Sequence, residues 1–285
     1  MQSLVVLALV LLATSRCLAN EIDQLHSLRD VTTFLRVRLA KEWENEEFDD
    51  PAVSDTTANR TNRFFKLDLD ANGLTDLVFS GRYLFAVTDE GAGKYRVHYI
   101  NRGFPFGKRY ALLSVIPRTN TPLLIIQGYE RYHLPKDATS KPDTLALKFG
   151  DFVEYHPVPT TRGIRQIHFS ASGCYGTCPV FDLVVLADRT ATYNAIQFNK
   201  RKGKFQATLD TASYNTLVAT LDYIQPSSLK DAYRVNWTDD ATVALEVTFS
   251  DGQVKKIRDY GGIGTFGLRN LYAQFYKLRE TQPWK

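Results

Sequence analysis

Two hydrophobic periods divide this chain, one near 3.6 and one of 2, and the places where one gives way to the other mark its elements. Before either begins, Leu4 to Ala13 form an unbroken apolar run, LVVLALVLLA. A membrane-crossing helix needs about 20 such residues, so ten are too few for a span and have the length of a signal-peptide core. Cys17 and Ala19 supply small residues at −3 and −1 for an expected cleavage after Ala19, although MQS at the start carries no Lys or Arg. Arg16 stands where lipid attachment at Cys17 would require a small residue. Residues 1–19 are therefore expected to be an export signal, and the mature chain to be periplasmic or extracellular.

Across 21–44, Leu25, Leu28, Leu35 and Leu39 recur at helical spacing and predict a helix with one apolar side. Six acidic residues follow between Glu42 and Asp50, then Pro51 and a polar stretch to Asn62. This segment reads as an exposed loop, with an acidic docking segment as the alternative.

From Arg63 to Tyr155 the period shortens. Phe64 to Leu67, Leu74 to Phe79, Tyr83 to Val87, Tyr95 to Ile100, Tyr110 to Ile116, Leu123 to Ile126 and Leu145 to Tyr155 are short β-rich runs. Asn72-Gly73, Gly91 to Gly93, Pro105, Pro117 and Pro122 punctuate them, which predicts an antiparallel meander with the N-terminal helix as its cover. Pro157, Pro159 and Gly163 mark a linker over 157–163. Beyond it, strands at 164–169, 180–186, 191–198 and 205–209 precede a helix over 214–224, which Thr211 or Ser213 would cap and Pro226 would stop. Asp251-Gly252 joins two further strands, and Leu268, Leu271, Phe275 and Leu278 give a last helix its core side. The expected fold is α+β in two units: 63–156, β-rich behind the helix and acidic linker of 20–62, and 164–285, a ββββ-α-ββ-α sheet with both helices on one face.

Composition agrees with two folded units. The chain has 285 residues, 44% hydrophobic and 23% charged, enough apolar material for real cores. Its net charge of +4 falls to +3 without Arg16, too mild to imply a nucleic-acid partner. Past residue 19 no apolar run suits an integral membrane span. The basic run Asn199 to Lys204 reads as a soluble hairpin tip. The sequons at Asn59 and Asn236 matter only in a host that glycosylates its secreted proteins.

Chemistry enters first at Asp68-Leu69-Asp70-Ala71-Asn72-Gly73-Leu74-Thr75-Asp76. Oxygen-bearing side chains at loop positions 1, 3, 5 and 9, with Gly at 6, suit a hard cation that takes about 6–8 oxygen ligands. An EF-hand needs Glu at position 12, where this chain has Phe79, and its flanks read as strands. The segment Asp68 to Leu77 instead resembles the calcium loops of FG-GAP and VCBS-type β repeats, in a single copy. That resemblance implies calcium, with Asp68, Asp70, Asn72 and Asp76 as side-chain ligands. An Asn-Gly hairpin with solvated aspartates is the alternative.

The mature chain keeps two cysteines, Cys174 and Cys178, in SGCYGTCP between two strands. In an exported protein such a pair is most simply one disulfide that pins its loop. A redox dithiol of the familiar kind has two intervening residues ahead of a helix, whereas here there are three ahead of a strand. A zinc site needs four ligands, and His168 alone lies nearby. Cys174-Tyr175-Gly176-Thr177-Cys178-Pro179 resembles the C-x-G-x-C-P hallmark of an exported bacterial family of unknown function, over about 164–280. The resemblance implies export and an α+β shape, and assigns no catalytic residue.

No G-x-S-x-G, H-E-x-x-H or phosphate-loop motif occurs, and His26, His98, His133, His156 and His168 are scattered. The sequence therefore points to a non-catalytic binding module for a protein or envelope component, with Tyr175 as its expected contact. The competing reading is a hydrolase that uses acidic residues in a cleft between the units; Asp239 and Asp240, ahead of a strand, could act as acids, with a solvated turn after Trp237 as the alternative.

Overall fold

A computed structural model of the chain describes residues 20–39, 64–81, 83–101, 109–129 and 141–285. The expected export signal, the acidic run of 42–50, Pro51, the sequon at Asn59, Pro105 and His133 lie outside the described residues. Among the described residues no helix is long and apolar enough to cross a membrane.

Of the helix expected over 21–44, residues 40–44 lie outside the described residues, and the described part is two pieces, a 3₁₀ turn at Glu21–Gln24 and α1 at Leu28–Arg38. A capping box opens each piece. Asn20 and Asp23 exchange side-chain and backbone bonds at the first, Ser27 and Asp30 at the second. A serine that caps a new helix must itself be extended, and Ser27 has φ −130° and ψ 161°, so the periodic leucines continue across a break in the backbone.

The described residues of 64–154 form two four-stranded sheets where one meander was expected. β1 (Phe64–Leu67), β2 (Asp76–Ser80), β3 (Leu84–Asp89) and β4 (Tyr95–Tyr99) lie side by side in chain order. So do β5 (Arg109–Ile116), β6 (Leu123–Tyr129), β7 (Asp143–Lys148) and β8 (Asp151–Glu154) in the second sheet. The run expected as one strand to Tyr155 is the β7–β8 hairpin. Phe149 and Gly150 turn it with φ of 54° and 80°, the left-handed pair that two-residue hairpins require. Alternation along β2 and β3 explains the packing. Leu77, Phe79, Phe85 and Val87 meet Ile22, Val31, Phe34 and Leu35 of the N-terminal helical pieces. Val78, Leu84 and Ala86 meet Leu124, Ile126, Leu145 and Phe152 of the second sheet. Both strands are therefore buried at every position.

The C-terminal sheet follows the expected α+β order with one addition. Its elements are β9 (Ile164–Ala171), β10 (Val180–Leu186), β11 (Thr190–Gln197), β12 (Gly203–Thr208), α2 (Thr211–Ile224), β13 (Ala232–Arg234), β14 (Thr242–Phe249), β15 (Val254–Tyr260) and α3 (Phe266–Thr281). In space the strands run β12-β11-β10-β9-β14-β15-β13. The addition, β13, pairs parallel to β15, and three residues are too few to show a period. Asp210, rather than Thr211 or Ser213, caps α2, since its side chain accepts the Ser213 N–H at 2.8 Å. Both long helices cover one face. Phe169, Phe181, Leu183 and Val247 pack there with Leu217, Leu221, Leu268, Leu271 and Phe275, and the Phe169 and Phe275 rings stack with centroids 4.6 Å apart.

The N-terminus of α3 ties this sheet to the rest. Phe266 packs into the core between the two four-stranded sheets and meets the Tyr110 ring edge-on. The Glu154 carboxylate accepts the backbone N–H groups of Phe266 and Gly267 at 2.6 and 2.8 Å. Gly267 is required by close approach, because a Cβ there would stand 2.6 Å from Ile224 of α2.

Candidate functional site

The expected cation loop joins β1 to β2, and strand pairing of Leu67 with Asp76 closes its base. The carboxylates of Asp68, Asp70 and Asp76 each offer one oxygen, and these oxygens lie within 4.8 Å of one another. The loop's own backbone aims them inward. Asp68 accepts the Asn72 and Gly73 N–H groups, and Asp70 also accepts that of Asn72. Gly73, with φ +84°, supplies the left-handed turn that an L side chain resists.

Asp76 is fully buried and holds two backbone donors, Leu69 N–H at 2.7 Å and Asp89 N–H at 2.8 Å. Burial pushes its carboxyl up to about 7, the two N–H bonds oppose that shift, and the Asp70 and Asp68 carboxylates add to it. Burial likewise raises Asp70. The fourth expected ligand, Asn72, also braces the loop. Its side-chain oxygen accepts the Leu74 N–H at 2.7 Å, and its amide donates to the Asp89 carbonyl at 2.7 Å. Asp89 belongs to this site and was not predicted. It comes from the following hairpin, where nothing in the D-x-D-x-N-G spacing points to it.

The donor set fits a hard divalent ion. Three carboxylates supply oxygen alone, and a carboxylate that already accepts an N–H keeps further lone pairs for a metal.

The second site is the loop between β9 and β10. Cys174 and Cys178 are joined by a disulfide with their Cα atoms 5.6 Å apart. The Gly176 N–H points back to Cys174 Sγ at 3.3 Å. Tyr175 stands at the tip and is 90% exposed, the most exposed large hydrophobic side chain among the described residues. Its backbone N–H donates to the Asp239 carbonyl at 3.0 Å, so the cysteine loop leans on the loop before β14. In that second loop the Trp237 indole donates to Asp240 Oδ2 at 3.0 Å, and Asp239 has φ 70°.

The remaining candidates are dispersed. His98 is buried, with Nε2 3.0 Å from the Thr88 hydroxyl and Nδ1 3.5 Å from Asp151, so it links β3, β4 and β8. His156 meets the Tyr223 ring edge-on at 5.7 Å, and His168 lies on the open face of the C-terminal sheet. The basic run is the tip of the β11–β12 hairpin, as expected, and also holds the C-terminal segment. Arg201 donates to the Trp284 carbonyl at 2.7 Å, Lys200 pairs with Glu280, and Asn199 accepts from Arg279 at 3.0 Å. Where the units meet, the acidic residue Glu154 is committed to the end of α3, and Arg269 is buried with its guanidinium 4.3 Å over the Phe266 ring.

A family model described as a domain of unknown function (DUF6438) matches residues 165–279, the stretch from β9 through most of α3 that contains the cysteine loop. No curated protein and no solved structure matches the chain. Over its C-terminal sheet, then, the chain is similar to a family whose description names no activity.

Proposed function

We propose that this protein is an exported, non-catalytic binding module that engages a protein or another envelope component through the Tyr175 tip. A calcium ion in the Asp68–Asp76 loop and the Cys174–Cys178 disulfide would brace it. One observation carries the reading: a large side chain, 90% exposed, on a covalently closed five-residue loop that also hydrogen-bonds to its neighbour. Tyrosine offers a large amphipathic contact with few rotors to freeze, so a pre-shaped loop that presents one binds at low entropic cost.

Calcium has a structural part in this reading. Bound by Asp68, Asp70, Asn72 and Asp76, it would neutralise carboxylates that otherwise repel one another around a buried group. Asn72 would hold the loop in register. Export rests on the apolar run at 4–13, and a disulfide between the only two cysteines past residue 19 suits an oxidising compartment. The test compares wild-type and Tyr175→Ala protein as bait in an envelope fraction. The reading expects a partner retained by the first and lost by the second at unchanged melting temperature. A partner set that is the same for both would remove Tyr175 from the function.

A further inference from the structure

The helices cover one face of the seven-stranded sheet and leave the other open. A trough of about 1130 Å³ runs over the open face of β9–β12 and reaches the β12 edge, where Phe205, Ala207, Pro283 and Lys285 also line it. Strand register places its polar residues in two adjacent rows. Lys204 pairs with Asn194, and Asn194 with Asp182, in the row nearer the cysteine loop. Gln206, Thr192, Val184 and His168 are successive partners in the next. Four strands about 4.8 Å apart and rows two residues apart make a platform of about 14 by 7 Å.

The side chains on this platform are partly organised already. Asn194 donates to Asp182 Oδ2 at 3.2 Å, and His168 Nε2 stands 3.6 Å from Asp182 Oδ1. Thr192, Lys204 and Gln206 make no side-chain bond to another described residue, so their donors and acceptors face the trough. Val184 lies among them and offers a small apolar floor.

We infer that this trough binds a neutral oligosaccharide. Each sugar hydroxyl both donates and accepts, and the trough sets a carboxylate, two amides, a hydroxyl, an imidazole and an ammonium on one face of four adjacent strands. Asp182 opposes a phosphate or sulfate at the middle of the platform, against the attraction of Lys204 and Lys285, which line the same trough. The trough is mixed, with Phe205, Ala207 and Pro283 as well as Val184 beside its polar groups, and an apolar ligand would strip water from all six polar groups and return no bonds. A polyhydroxylated ligand satisfies the groups and lays its C–H faces on the valine. The trough is separate from the Tyr175 tip and does not depend on that contact.

The experiment uses the folded chain on an array of neutral and anionic oligosaccharides, followed by amide-shift titration with each neutral sugar the array retains. The expected result is capture of at least one neutral sugar, with shifts confined to β9–β12. Asp182→Ala and Asn194→Ala should each weaken binding about tenfold, the loss of one good hydrogen bond. Lys256→Ala, on the same face but bonded to Glu246, should leave binding unchanged, and the amide spectrum verifies that each variant is folded. The inference is overturned if no neutral sugar is retained or if both trough variants bind as wild type. It is also overturned if millimolar inorganic phosphate shifts the same amides as strongly, or if the shifts reflect a second copy of the chain and vanish on dilution. Loss of the Tyr175 contact with sugar binding intact would fault the tip and leave the trough standing.

Discussion

Glu154 and Phe266, 112 residues apart in the chain, meet at 2.6 Å, where the carboxylate at the end of β8 accepts the first free N–H of α3. A second bond to Gly267, at 2.8 Å, makes Glu154 a bidentate cap on that helix. Anions are favoured at helix N-termini because the leading N–H groups lack intrahelical partners. The contact comes from another sheet, so it couples the C-terminal unit to the sandwich before it.

Replacing Glu154 by Ala leaves two N–H groups at a buried junction without their acceptor. Glu154→Ala should lower unfolding free energy by about 2 kcal/mol, the range for hydrogen bonds to a charged group. Glu154→Gln, which keeps one acceptor, should lose less. Urea unfolding followed by tryptophan fluorescence reads both, and equal stability of Glu154→Ala and wild type would remove the junction from the energetics.

Much of this architecture was legible in the chain. The order of the C-terminal sheet followed from β-rich runs, from Asp251-Gly252 and from Pro226. The apolar side of α3 was readable at Leu268, Leu271, Phe275 and Leu278. The division of the first sheet was not. β2 and β3 are apolar on both faces, so alternation cannot show that one face meets a helix and the other a second sheet. The Phe149-Gly150 turn escaped because phenylalanine seldom takes a positive φ. At the cation loop, spacing located Asp68, Asp70 and Asp76. Asp89 remained hidden because it arrives through tertiary structure, as does Glu154 at α3.

Calcium should raise the melting temperature and a chelator should lower it. At a roughly hundredfold excess over Kd, a ligand bound only by the folded state adds about 2.7 kcal/mol. Asp70→Asn keeps the exposed loop's size and removes a ligand charge, so it should blunt the calcium response while changing the chelated protein little. A melting curve indifferent to both calcium and chelator would end the metal reading.

Asp210 links stability to acid. The Ser213 N–H, then the Ser213 and Gln282 side chains, hold its carboxyl down at about 2, against an ordinary 3.8. A depressed acid contributes stability that is present above 3.8 and lost as pH falls through the folded value. Asp210→Ala should therefore melt below wild type at neutral pH, and the gap should close as pH falls from 3.8 towards 2. A gap independent of pH would show that the cap acts through shape alone.

Asp259 carries the opposite sign. It is fully buried, and burial raises its carboxyl above the ordinary value despite the Gly264 N–H at 2.8 Å. Its preference for the protonated form stabilises the fold below the unfolded value of 3.8, and this is lost as pH rises through the raised folded value. Asp259→Asn, neutral at every pH and still able to accept from Gly264, should gain on wild type as pH rises. Parallel stability–pH curves for the two proteins would contradict this.

The central claim is that the molecule works by contact at the tip of its cysteine loop. A photo-reactive phenylalanine at position 175 tests this directly in intact cells, with position 37 as the control. Val37 is 66% exposed on α1. The account predicts a discrete cross-linked partner from position 175, absent from position 37 and absent when Cys174 and Cys178 are both replaced by Ser. The same cross-links from both positions, or none from 175, would contradict it.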